Sequence, residues 1–201
     1  MSEADKDIEA RIRDLLAADD RPAAATAAIQ EFGPPVLRYL RSLLRDEDDA
    51  SDAFSVFAEN VWRGLPTWRG EGSLKAWTFR LAWNGAMNLK NEAWRRRGRR
   101  FFSGEASALA EEIRTRSHVK MERQRHVLDK LRESLDVEEV SLLALRIDQK
   151  LSWAEIADVT ATDGQRVEPA ALMPRFERLT GRLARRAKDQ GLLEEVLSAV
   201  P

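Results

Sequence analysis

The sequence predicts an all-α protein, and three observations carry that expectation. Ala, Leu, Arg and Glu dominate the 201 residues, while only 10 glycines and 7 prolines interrupt them; straight-chain side chains lose little rotamer freedom in a helix. Apolar residues recur at three- and four-residue spacing through most of the chain. Ser152-Trp153-Ala154-Glu155 has the spacing of a capping box, in which side chain and backbone pair reciprocally at a helix start. Charged residues make up 33% and hydrophobic ones 43%, enough for a core beneath a heavily solvated surface. The length suits one large or two small domains.

The elements follow in order. Residues 23–45 read as one or two helices, with Phe32, Val36, Tyr39, Leu40, Leu43 and Leu44 at helical spacing and Gly33-Pro34-Pro35 marking a break or a start. Phe54, Phe57, Val61 and Trp62 define an amphipathic helix from about 48 to 63, stopped near Gly64 and Pro66. A polar loop, Trp68 to Ser73, comes next. Its Gly-x-Gly fragment lacks the rest of a phosphate-loop pattern, and no strand precedes it. Ser73 can cap the following helix, expected from Leu74 to about Arg97, with Arg80, Asn84 and Asn88 as a polar row at four-residue spacing. Periodicity weakens from Phe101 to about Arg125, a linker that is partly helical toward its end. It resumes at Val127, Leu128, Leu131 and Leu135, then at Val140, Leu143, Leu145 and Ile147. A short helix opens at Ser152, a loop follows, and an Arg-rich amphipathic helix spans roughly 170–189. The expected organisation is 1–100 as a first domain, 101–126 as linker and 127–201 as a second.

Composition excludes several classes. No cysteine is present, so neither a disulfide framework nor a thiolate zinc site is available, which fits a reducing cytoplasm. No apolar run approaches the roughly 20 residues that span a bilayer, and the acidic N-terminus is no signal peptide. A cytoplasmic protein without membrane insertion is expected. Two histidines and no convergent carboxylates give no catalytic set; no catalytic residue, metal or cofactor is expected.

A net charge of -1 hides segregation. Residues 1–20 hold seven acids against three bases, and Asp46 to Glu59 six acids and no base. Residues 90–100 hold six bases against one acid, as do 175–188. Nucleic-acid binding depends on such local patches rather than on totals, although a single charge run is as often a solvated helix face. The C-terminal order of capped helix, loop and Arg-rich helix is that of a helix-turn-helix, whose last helix enters the major groove; any helical bundle also contains such segments. Between Trp68 and Arg100 aromatics interleave with polar and basic residues, the pattern by which single strands are held through base stacking and a basic groove. Trp77, flanked by Leu74 and Leu81, suits a core position better, while Trp83 and Trp94 suit either.

The stretch from Asp46 to Arg100 resembles region 2 of extracytoplasmic-function sigma factors, within the sigma-70 superfamily. It carries an acidic-to-aromatic helix, a W-R-G loop, an A-W-T-F-R-L-A-W-N helix and a basic tail. K-L-S-W-A-E-I-A resembles the start of the same family's region 4 helix-turn-helix. The resemblance implies a transcription initiation factor with no catalysis of its own. Its partners would be core RNA polymerase, through the clamp helices and flap, and promoter DNA; a sequestering anti-sigma protein is a frequent further partner in the family. By position, Asp48, Asp49, Asp52 and Phe57, beside Phe54, would dock on the clamp helices, although a core position is the plainer reading for at least one of the two phenylalanines. Trp68, Arg69, Ser73 and Asn84 would capture a base flipped from the −10 element, with Arg80, Asn88, Arg95, Arg96 and Arg97 on that strand or its backbone. Arg175, Arg178 and Arg182 would read or grip the −35 duplex. Two departures stand out: Asp52-Ala53-Phe54 replaces a frequent Gln, and the helix-turn-helix turn is long, with Pro174 inside the recognition helix. Proline is tolerated in a first turn, so that helix should begin near 170–173 or kink. The alternatives are a stand-alone helix-turn-helix regulator, which leaves the N-terminal half unused, and an arginine-rich RNA-binding or adaptor protein.

Overall fold

The structure is a computed structural model that describes residues 3–70, 72–90, 104–118, 135–161 and 167–189. Among them every regular element is helical, so the all-α expectation holds. The helices are α1 (Glu3–Ala17), α2 (Arg21–Leu44), α3 (Glu47–Gly64), α4 (Leu74–Lys90), α5 (Gly104–His118), α6 (Val137–Leu143), α7 (Trp153–Val159) and α8 (Pro169–Asp189). A 3₁₀ turn, Leu65–Thr67, follows α3, and a π-helical turn, Ala144–Asp148, follows α6.

Local chemistry sets the helix starts. Asp20 accepts the Ala23 N–H before α2, and Asp46 accepts the Asp49 N–H at 2.8 Å before α3. Each satisfies a backbone donor that the first turn leaves without an intrahelical partner. Asp136–Glu139 and Ser152–Glu155 both form complete capping boxes, at α6 and α7. Only the second was expected from the sequence.

α2 is the central element. It packs against α1, α3, α4, α5 and α6, burying Ala24, Ala25, Ala28, Ile29, Phe32, Val36, Leu37, Tyr39 and Leu40. Small alanines on its N-terminal half let neighbouring helices approach closely, and larger side chains fill the C-terminal half. The break expected at Gly33-Pro34-Pro35 does not occur; both prolines lie inside one helix. They withhold donors from the carbonyls of Gln30 and Glu31, exposed residues where water can substitute. The apolar residues on either side of the prolines are buried in the same core, and that packing holds the helix through them.

Gly33 is buried because α5 passes over it. A Cβ at Gly33 would lie 2.6 Å from Ile113 Cδ1 and 3.3 Å from Phe54 Cζ. Part of the expected linker is therefore a packed helix. Within residues 101–126 the segment Gly104–His118 is a helix packed on α2 and α3, with Ala106, Ala110 and Ile113 buried. Arg114 Nη1 also donates to Ser55 Oγ at 2.8 Å and to the Ser51 carbonyl at 3.3 Å. Only one face of α5 is apolar, and its three small or branched residues give a weak periodic signal.

The C-terminal helices continue the same apolar cluster. α6 packs on α2, and α7 on α4. Tyr39 Oη and Ser141 Oγ share a fully buried hydrogen bond of 2.7 Å, and Arg45 donates to the Leu135 carbonyl at 2.6 Å. Burial pushes the Tyr39 phenol well above its ordinary pKa, against the smaller lowering effect of Ser141. α8 packs on α6 and α7, with Phe176 edge-on to Trp153 at 5.6 Å. It begins at Pro169, so Pro174 lies just beyond the first turn, inside the helix.

Lys150 closes the π-helical turn in the left-handed region, at φ 57. A side chain there costs roughly 1–2 kcal/mol that glycine avoids. Lys150→Gly is expected to raise stability by up to about 1 kcal/mol, part of the gain being offset by the freer unfolded chain; equilibrium denaturation checks it. Ile113→Ala is expected to cost about 2–5 kcal/mol in the same assay, as for a buried residue of one cooperative core. A loose linker would lose almost nothing.

Candidate nucleic-acid interface

The loop between the 3₁₀ turn and α4 is built by two glycines and held from two sides. Gly70 and Gly72 take φ of 76 and 74, conformations open to glycine at little cost. Ser73 caps α4 as the sequence predicts: its hydroxyl accepts the Ala76 N–H at 3.2 Å. The same hydroxyl donates to Glu155 Oε1 of α7 at 2.5 Å, so the loop touches the capping box of the C-terminal helix pair. Glu155 Oε2 accepts the Ser152 N–H and hydroxyl, each at 2.8 Å. Burial raises the Glu155 pKa, but these hydrogen bonds outweigh it and hold the carboxyl below its ordinary value.

On the other side stands α1. Glu9, buried, accepts the Leu74 N–H through Oε2 at 2.9 Å and pairs with Arg13 through Oε1 at 2.5 Å. The Arg13 guanidinium lies over the Trp68 ring, 5.3 Å from its centroid. Trp68 is half-buried, and its indole N–H is buried without a hydrogen-bond partner.

Beyond the loop, α4 turns Arg80, Asn84 and Asn88 outward, all exposed on one stripe of its surface. Its opposite side enters the core through Leu74, Phe79, Ala82, Trp83 and Ala86, so Trp83 is a core residue. Trp77 is half-buried and lies beside Gly64. Arg69 is exposed at the loop. The fold thus sets Trp68, Arg69 and Ser73 at the entrance of the helix that carries the exposed Arg80, Asn84 and Asn88. Arg95, Arg96 and Arg97, with Trp94, lie outside the described residues.

The acidic start of α3 presents Asp48 and Asp52 as exposed and Asp49 as half-buried. Phe57 does not join them. It is fully buried and stacks on Phe54 at 5.6 Å between centroids, so its expected role as a docking side chain is corrected to one in the core. On α8, Arg175 pairs with Glu138 at 2.6 Å and Arg182 pairs with Glu139. Both arginines therefore brace α8 against α6, whereas Arg178, Arg185 and Arg186 are exposed along the helix.

Glu9, Arg13 and the second role of Glu155 were missed from the sequence. Glu9 and Arg13 stand four apart on one helix, but nothing local reveals that their partners are residues 68 and 74. Among the described residues no cluster of His, Cys, Asp or Glu could hold a metal ion, and no helix is long and apolar enough to cross a membrane.

Residues 28–100 match the family model for sigma-70 region 2. That match supports a sigma-70 family sigma factor. The matched residues run from within α2 through α3, the loop and α4, and so contain the loop and the polar row but not their supports on α1 and α7. Sigma region 2 implies binding to core RNA polymerase and to promoter DNA and supports a role in transcription initiation. No curated protein and no solved structure matches the chain significantly.

The Ser73–Glu155 contact has a pH signature. A carboxyl whose pKa is lowered by folding contributes stability above its ordinary value, 4.5, and the contribution fades as pH falls through the lowered value. The stability difference between the native chain and Glu155→Gln should therefore be largest above about pH 5 and shrink on acidification. Unfolding curves across that range check it; a difference independent of pH would contradict it.

Proposed function

We propose that the chain is an extracytoplasmic-function type sigma factor, which recruits core polymerase, grips the −35 duplex and opens the −10 element. The observation that carries this reading is the coupling of a glycine-built aromatic loop to the exposed row Arg80, Asn84 and Asn88. A base leaving the duplex costs a few kcal/mol, which stacking and edge hydrogen bonds must offset. An asparagine amide offers both donor and acceptor to a base edge, and Arg80 one helical turn away can meet the adjoining phosphate.

The remaining assignments follow this reading. Asp48, Asp49 and Asp52 would meet the polymerase clamp helices through the acidic start of α3. Arg95, Arg96 and Arg97 would track the −10 strand backbone. Helices α7 and α8 would serve as region 4, with residues 101–126 as the connection and 127–201 as the −35 domain. In that role Arg178 is exposed and ready for DNA, while Arg175 and Arg182 would exchange Glu138 and Glu139 for phosphates. A cytoplasmic site of action and an anti-sigma partner belong to the same proposal. No catalysis of its own is assigned.

The test mixes the chain with core polymerase and a promoter library, then scores association and start sites. Co-elution with core and a defined set of starts are expected; failure to associate would refute the proposal. Asn84→Ala should reduce opening at the preferred −10 sequence more than it reduces duplex binding, checked by permanganate reactivity against gel shift. Equal losses would argue for a stand-alone duplex binder instead.

A further inference from the structure

The loop offered to the −10 base is not self-supporting. Gly70 and Gly72 bring little conformational preference of their own, and Trp68 and Leu74 on either side are both tied to α1, which precedes the matched residues 28–100. At one end Glu9 Oε2 receives the Leu74 N–H at 2.9 Å, a backbone donor at the start of α4 that no intrahelical carbonyl can satisfy. At the other end the Arg13 guanidinium lies over the Trp68 ring. A Cβ placed on Gly70 would stand 3.7 Å from Arg13 Nη2, so the guanidinium also passes close to the loop backbone. The 2.5 Å ion pair between Glu9 and Arg13 joins the two ties into one relay.

We infer that Glu9 and Arg13 are positioning residues for base capture: they set the orientation of Trp68 and the entry angle of α4, and through it the distance from the loop to Asn84. Neither needs to touch DNA. The chemistry is directional, because a buried carboxylate cannot be left unpaired without a large cost. Glu9 therefore holds Arg13 and the α4 start together or loses both. The guanidinium over the indole adds a cation–π attraction that fixes the tilt of a ring whose N–H is already buried. This inference rests on the reading of the loop as the receiver of the −10 base.

The experiment uses the full chain with Glu9→Gln, Arg13→Ala and Arg13→Lys. Amide hydrogen exchange is followed in the chain alone, and promoter opening and core-polymerase affinity in the holoenzyme. Glu9→Gln and Arg13→Ala are expected to speed exchange selectively over residues 68–74 and to lower promoter opening about tenfold, the scale of one charge-assisted hydrogen bond. Core affinity should stay within about twofold, and Arg13→Lys, which keeps the charge, should recover part of the loss. Unchanged loop exchange, faster exchange spread over all helices, or faster loop exchange with unchanged opening would each overturn the inference. A native chain that opens no promoter would refute the functional reading instead. Selective loop exchange in the variants would then still establish that α1 holds the loop.

Discussion

The burial of α2 is the constraint on which the other elements depend. A helix apolar around most of its circumference cannot face water, and here five other helices are needed to cover it. Its alanine-rich half admits α1 closely, its glycine admits α5, and its larger residues fill the space shared by α3, α4 and α6. The Tyr39 phenol shows how far this coverage extends. A hydroxyl so deep must find a partner or cost about 1–3 kcal/mol, and it finds Ser141, 102 positions along the chain. The C-terminal helices are thus fixed to the same core by a buried hydrogen bond set within the apolar cluster.

From this arrangement the candidate surface acquires its position. α4 lies with one side on α2 and α3 and its start against α1 and α7, so the stripe left over is the one bearing Arg80, Asn84 and Asn88. The loop before it is bounded by Glu9 and Arg13 on one side and by Glu155 on the other. Charge follows the same division. Acids crowd α1 and the first turn of α3, whereas the bases of α8 are partly neutralised by Glu138 and Glu139. A chain with a net charge of -1 can present a nucleic-acid surface because its charges are segregated by element.

Much of this was legible in the sequence. The period of three and four gave α3, α8 and the start of α4 closely, the expected end of α4 near Arg97 lying outside the described residues, and side-chain caps at Ser73 and Ser152 were visible because capping is a local interaction. The W-R-G loop and the polar row were visible for the same reason. What escaped were the outcomes decided across space. Two consecutive prolines read as a break, yet buried residues on both sides of Pro34 and Pro35 carry α2 through them. α5 read as linker because its small residues Ala106 and Ala110 signal little by themselves; only the bare backbone at Gly33 explains why they suffice. Phe57 had both a docking and a core reading, and burial onto Phe54 takes the second. The supports at Glu9 and Arg13 depend on residues some 55 to 65 positions away, beyond any local pattern.

In the proposed role the loop and the Arg80–Asn84–Asn88 row receive an unpaired base of the −10 strand. The most direct measurement places a photocrosslinker at Asn84 in the full chain, assembled with core polymerase on a promoter, and maps the crosslinked nucleotide. The expected result is a crosslink to one base of the −10 non-template strand that appears only when the duplex opens. A crosslink confined to duplex DNA, or one of equal strength before opening, would contradict it.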